Sequence, residues 1–184
     1  PAEGEFIEAL VDHMVPADRM SPKGTDLGIH IYIDRALAGA WGRGDRLYRQ
    51  GPWKPGVPAQ GYQLPLTPAE LIRAGIEAAD AFLRKQHGKD FDQITPAQRE
   101  DFLKALDGGK VAFPAGPPAR VFWGALYQLV MEGMFADPVH GGNRGKAGWK
   151  MVGFPGVIAN HARNIVNYRN KPYTAAPQGI ADAS

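Results

Sequence analysis

The stretch Gly141-Gly142-Asn143-Arg144-Gly145-Lys146-Ala147 holds the residue types closest to a recognisable chemistry. Glycines followed by lysine are the parts of a phosphate cradle, in which backbone N–H groups and an ammonium surround the anion. The spacing does not complete one. Gly141 and Gly145 enclose three residues where that loop needs four, and Ala147 stands where a hydroxyl would hold magnesium. A tight turn requiring positive φ is the plainer expectation. Gly42-Arg43-Gly44 opens like a dinucleotide fingerprint, but Leu47 fills the third glycine position and no strand–helix–strand unit surrounds it. The histidines, His13, His30, His87, His140 and His161, are scattered. Asp137 and His140 share one turn and offer two ligands, fewer than a metal site needs. A backbone hydrogen bond is the other reading of His140. Serine occurs only at Ser21 and Ser184, without a nucleophile elbow. The carboxylate pairs Asp12/Asp18 and Asp90/Asp92 fall on helix ends and polar turns, where solvated surface is expected.

Arg43, Arg46 and Arg49 fall on one side of a helical turn predicted over 45–50, near Tyr48 and Trp53. Three readings stay open. The group could stack single-stranded RNA, anchor a protein interface rich in Arg, Trp and Tyr, or be a solvated face with a tucked indole. The whole-chain net charge of only +2 weighs against nucleic acid.

The elements that must position these residues read as helices. Phe6, Ile7, Leu10, Val11 and Met14 recur at helical spacing, and Pro16 stops the run. Asp26 is the expected N-cap of a second helix bearing Ile29, Ile33 and Leu37, although Ile29, Ile31 and Ile33 also alternate as in a strand. Thr67-Pro68-Ala69-Glu70 and Thr95-Pro96-Ala97-Gln98 are capping boxes with proline at the first helical position. Their helices are predicted to run to about Gln86 and Leu106. A fifth helix is predicted from Ala119 to about Phe135, with Val121, Phe122, Ala125, Leu126, Leu129, Val130 and Met134 on a buried face. A short helix or turn follows within 157–168. The expected fold is all-α: one domain over 1–184, about five helices, and two long ordered loops rich in Gly, Pro and aromatics, over 42–66 and 137–156. Residues 1–4 and 172–184 are expected to fray.

Composition sets outer bounds. The chain has 184 residues, 44% hydrophobic and 22% charged, with no cysteine. That excludes disulfides, Cys-held metal or clusters, CxxCH haem attachment and a Cys nucleophile within it. No run reaches 18 apolar residues, so no transmembrane helix is expected. Pro1 is not a natural start, and a targeting segment is expected to have preceded it.

Asp137-Pro138-Val139-His140-Gly141-Gly142-Asn143, continuing through Gly148-Trp149 to Val152-Gly153-Phe154-Pro155-Gly156, resembles the signature of the gluconate 2-dehydrogenase subunit 3 family. Val15-Pro16-Ala17-Asp18, Ile33-Asp34-Arg35, Gly42-Arg43-Gly44, Tyr48-Arg49-Gln50-Gly51-Pro52 and the Thr67–Ala69 helix start are similar as well. The resemblance implies a small, non-catalytic subunit of a periplasmic, flavin-dependent dehydrogenase. In such complexes a large flavoprotein of the glucose–methanol–choline type holds FAD and oxidises a sugar acid, polyol or alcohol. A multihaem cytochrome c passes electrons to membrane quinone, so this chain would meet the membrane only through the complex. The small subunit often carries a twin-arginine signal and helps export and stabilise the flavoprotein. No catalytic, cofactor-binding or metal residue is carried onto this sequence. Trp53, His140, Asn143, Arg144, Trp149 and Phe154 are the residues expected at the partner interface. The rival reading makes 137–156 an internal turn locking the helices, with Trp149 in the core. The rival function is an independent small-molecule binder or enzyme using Asp137, His140 and Arg144.

Overall fold

A computed structural model describes residues 2–54, 56–158 and 161–182. They form seven α-helices and no strand: α1 (Ala2–Met14), α2 (Ile29–Ala38), α3 (Pro68–His87), α4 (Pro96–Asp107), α5 (Ala119–Phe135), α6 (Ala147–Val152) and α7 (Ala162–Asn167). The all-α, single-domain expectation holds, with α1 to α5 where the apolar periodicity places them. The two capping boxes form as read. Thr67 Oγ1 accepts from Glu70 N at 3.2 Å while the Glu70 carboxylate accepts from Thr67 N at 2.7 Å, and Thr95 with Gln98 repeats the exchange.

The five long helices bury their stripes around α5, which packs against α2, α3 and α4. Phe122, Leu126, Leu129 and Val130 of α5 meet Leu10 and Val11 of α1 and Leu83 of α3 in one core. Phe6 and Phe91 stack with ring centroids 4.5 Å apart, and Phe113 meets Phe122 edge-on at 6.1 Å. The α3–α5 approach requires Gly75: a Cβ there would sit 2.0 Å from the Phe122 ring.

Several local expectations differ from the structure. Asp26 does not cap α2. The chain turns through 24–28, and Gly28, at φ 76°, holds the N-cap position. The turn predicted over 45–50 lies earlier, over 40–46. Its position follows from the carbonyls at the end of α2, which need donors. Gly42 N reaches Ala36 O, Arg43 N reaches Gly39 O, and the Arg43 guanidinium reaches Ala38 O. Val121 is exposed, being one residue off the stripe of α5. Residues 2–4 belong to α1. The chain returns to the body at 178 and 182: Val157 N donates to Gln178 O and Gln178 N to Pro155 O, and Lys146 pairs with Asp182.

Asp12 and Asp18 organise turns. Asp18 accepts from Met20 N and Ser21 N, and these backbone bonds, Ser21 first, hold its pKa low. Asp12 accepts from Lys23 Nζ at 2.8 Å and Thr25 N at 2.7 Å. Burial works to raise the Asp12 pKa, but those hydrogen bonds prevail and keep it below the ordinary value.

Candidate functional site

The end of α5 explains the conformation of 137–156. A helix leaves its last four carbonyls without intrahelical donors, and burial makes that costly. The glycine–asparagine segment supplies three of the donors. Asn143 N donates to Gly133 O at 2.9 Å, Trp149 Nε1 to Phe135 O at 2.7 Å, and Asn143 Nδ2 to Ala136 O at 2.9 Å. The Asn143 side-chain oxygen accepts from Gly148 N at 2.9 Å, at the start of α6. Asn143 is 0% exposed, and at φ 46° it takes the left-handed conformation that asparagine tolerates better than most residues. The approach is so close that a Cβ at Gly142 would lie 2.1 Å from Gly133 O, and one at Gly148 2.3 Å from Met134 O.

The segment also ties α5 to α2. Arg144 N donates to Leu27 O at 3.0 Å, just before α2, and the Arg35 guanidinium of α2 reaches Val139 O at 3.4 Å. The Tyr32 hydroxyl of α2 donates to Glu132 of α5 at 3.0 Å. Burial and that carboxylate together raise the Tyr32 pKa to about 12. Both oxygens of Asp137 are engaged, one by Val139 N at 3.0 Å and the other by Ile180 N at 2.8 Å.

The six expected interface residues therefore divide. Asn143 is fully internal, and Trp149 is only 4% exposed. Phe154 packs edge-on against Trp149, centroids 5.2 Å apart, yet remains 46% exposed. His140 and Arg144 are exposed. Trp53 is on the separate 40–66 segment, where it lines a small cleft with Leu47, Tyr62 and Leu66. The arginines near it do not share one helical face. Arg43 and Arg49 are turned onto backbone carbonyls, and Arg49 also lies 3.9 Å from Glu70. Sequence reasoning missed Gly75, and it missed Asn143 as the residue that seals α5. Asn after two glycines was a usable sign for a left-handed turn, but nothing local reveals which carbonyls the amide meets.

Among the described residues no group of three or more His, Asp or Glu side chains is placed to hold a metal ion. No helix among them is long and apolar enough to cross a membrane. A groove of about 720 Å³ opens elsewhere, between the Ala74, Ala78 and Ala81 face of α3 and residues 112–116.

Fold and site together define a helical scaffold whose longest motif is committed to its own backbone. The chain belongs to the gluconate 2-dehydrogenase subunit 3 family, which matches residues 1–156. It is thus an accessory-type subunit of a multi-subunit dehydrogenase. No curated protein and no solved structure matches the chain.

Proposed function

We propose that this chain binds and stabilises the FAD-containing large subunit of a periplasmic gluconate 2-dehydrogenase-like complex, and contributes no catalytic residue. The observation that carries this reading is the use of the family motif. Asn143 and Trp149 spend their side-chain polar atoms closing the end of α5, and Gly142 and Gly148 allow the close approach this needs. His140, Arg144, Phe154 and Trp53 remain on the surface, where a partner can reach them. In this reading FAD belongs to the large subunit and haem c to a cytochrome subunit, and the membrane is met only through the complex. Export by a twin-arginine signal belongs to the same reading. The chain acts by mass action, since whatever binds only the folded flavoprotein stabilises it. A permanent contact of this kind buries more than about 2,000 Å² in total. A small-molecule site around Asp137, His140 and Arg144 is disfavoured because both Asp137 oxygens already accept backbone N–H groups.

The test is gentle isolation of the chain from its native host with a visible spectrum of the product. A stoichiometric larger chain with flavin absorption is the expected result. A lone colourless chain, together with a flavoprotein that matures and works at normal levels after this chain is deleted, overturns the proposal.

A further inference from the structure

Charge is distributed unevenly along the chain. Residues 1–137 carry fifteen Lys and Arg against eighteen Asp and Glu, a net −3. Residues 138–184 carry six against one, a net +5, with no acid between Asp137 and Asp182. The single acid of that second part, Asp182, is already paired with Lys146.

Three of those six cations, Arg163, Arg169 and Lys171, fall on a segment that buries little of its own. Residues 157–178 leave the body at Gly156 and return to it at Gln178, where the two strands of chain bridge. Within the segment, Tyr168 and Tyr173 meet edge-on at 4.7 Å, and Asn164 reaches both the Tyr173 hydroxyl and the His161 ring. These contacts shape α7, yet no residue of α7 is buried. Ile165 is 71% exposed and Val166 75%. Arg163, Arg169 and Lys171 make no ion pair among the described residues. The segment also lies beyond residue 156, where the family match ends.

We infer that residues 157–178 are a docking arm that takes an apolar surface rimmed by carboxylates on the flavoprotein subunit. The inference rests on the proposed function and names the surface it uses. Charge complementarity selects an acidic partner, because neighbouring cations without counter-ions repel one another until one is supplied. The mixture of residues selects protein over lipid. Asn164, Asn167 and Asn170 interleave with Ile, Val, Tyr and Arg, a pattern suited to hydrogen bonding at a protein interface. A helix lying on a membrane needs a longer apolar face than the six residues of α7 provide. The arm spans 22 residues, close to the number one partner contributes to a standard interface.

The test uses the whole chain and the purified flavoprotein subunit that accompanies it. Affinity is measured for the wild type, for Ile165→Asp with Val166→Asp, and for Arg163→Glu with Arg169→Glu and Lys171→Glu. The apolar pair should lose affinity by about 100-fold and the charge reversal by about 10-fold or more, as for central interface anchors. Tm should change little in either, because these side chains are largely exposed. The milder Ile165→Ala with Val166→Ala provides a second comparison should the aspartates disturb folding. If the wild type binds and every variant binds equally well, the arm is not the docking surface, and the subunit reading stands. If the wild type does not bind the flavoprotein, both readings fall. If vesicles of phosphatidylglycerol and phosphatidylcholine bind the wild type but not the apolar variant, while flavoprotein affinity is unaltered, the arm is a lipid contact and the inference is overturned.

Discussion

Segments 40–66 and 137–156 look alike as sequence, both rich in glycine and aromatics, yet they are held by different means. The later segment answers the open carbonyls of α5 with Asn143 and Trp149, two neutral side chains sealed from water. The earlier one answers the end of α2 with Arg43, and is fastened to α3 through the exposed Glu70 and Arg49 and a bond from Ala69 N to Gly42 O. Its Tyr62 hydroxyl reaches Leu66 O at 2.7 Å, a bond confined to its own loop. A glycine-rich loop becomes part of the core when its donors meet buried acceptors, and stays a surface loop when they meet exposed ones. Buried bonds are costly to lose, whereas exposed ones are replaced by water.

The same substitution at two tryptophans gives the widest separation. Trp149→Ala should destabilise by about 3–5 kcal/mol, from a buried cavity and an unpaired Phe135 carbonyl. Trp53→Ala should cost less than about 1 kcal/mol, since its ring is partly exposed and packs only within its loop. Urea unfolding of the two variants decides it, and equal losses would erase the distinction. Asn143→Ala should come next, at about 3 kcal/mol, because the Gly148 N–H and the Ala136 carbonyl lose their bonds and alanine resists the left-handed turn. Asn143→Gly keeps the turn and loses the bonds, so its Tm should fall between those of alanine and wild type.

The smallest expected effect is a difference in pH response. Hydrogen bonds from Thr67, its backbone N–H first, hold the Glu70 pKa below its ordinary 4.5. Its stabilising contribution is therefore complete above that value and is lost as pH falls through the lower folded value. Asn143 and Trp149 do not titrate in that range. Amide exchange, corrected for intrinsic rates, should rise across 42–66 before 137–156 on acidification from about pH 6 to about pH 3. Simultaneous opening of both segments would show that they share one tether.

Much of this contrast was outside the reach of sequence. Thr67 and Thr95 were legible because a capping box lies within four residues, and its partners are fixed by helix geometry. The apolar stripes of α1 and α3 to α5 were legible for the same local reason. Helix α6 was not, because six residues with glycine inside carry too little periodicity. The two roles weighed for 137–156 could not be separated, since deciding between them needs the position of carbonyls on another element. Asp26 was a reasonable cap by type, but the buried placement of Leu27 and Ile29 moves the start of α2 past it.

The sequence by itself determined an all-helical chain, the two boxed helix starts, and the motif through which the family is recognised. Those features depend on neighbours along the chain or on residue identity alone. Only the tertiary structure decided that Asn143 and Trp149 face inward, that Gly75 must be small, and that 157–178 is closed at its base by Gly156 and Gln178 while α7 within it stays unburied. Each of those facts depends on which distant atom comes within reach, and that is set by how the helices pack.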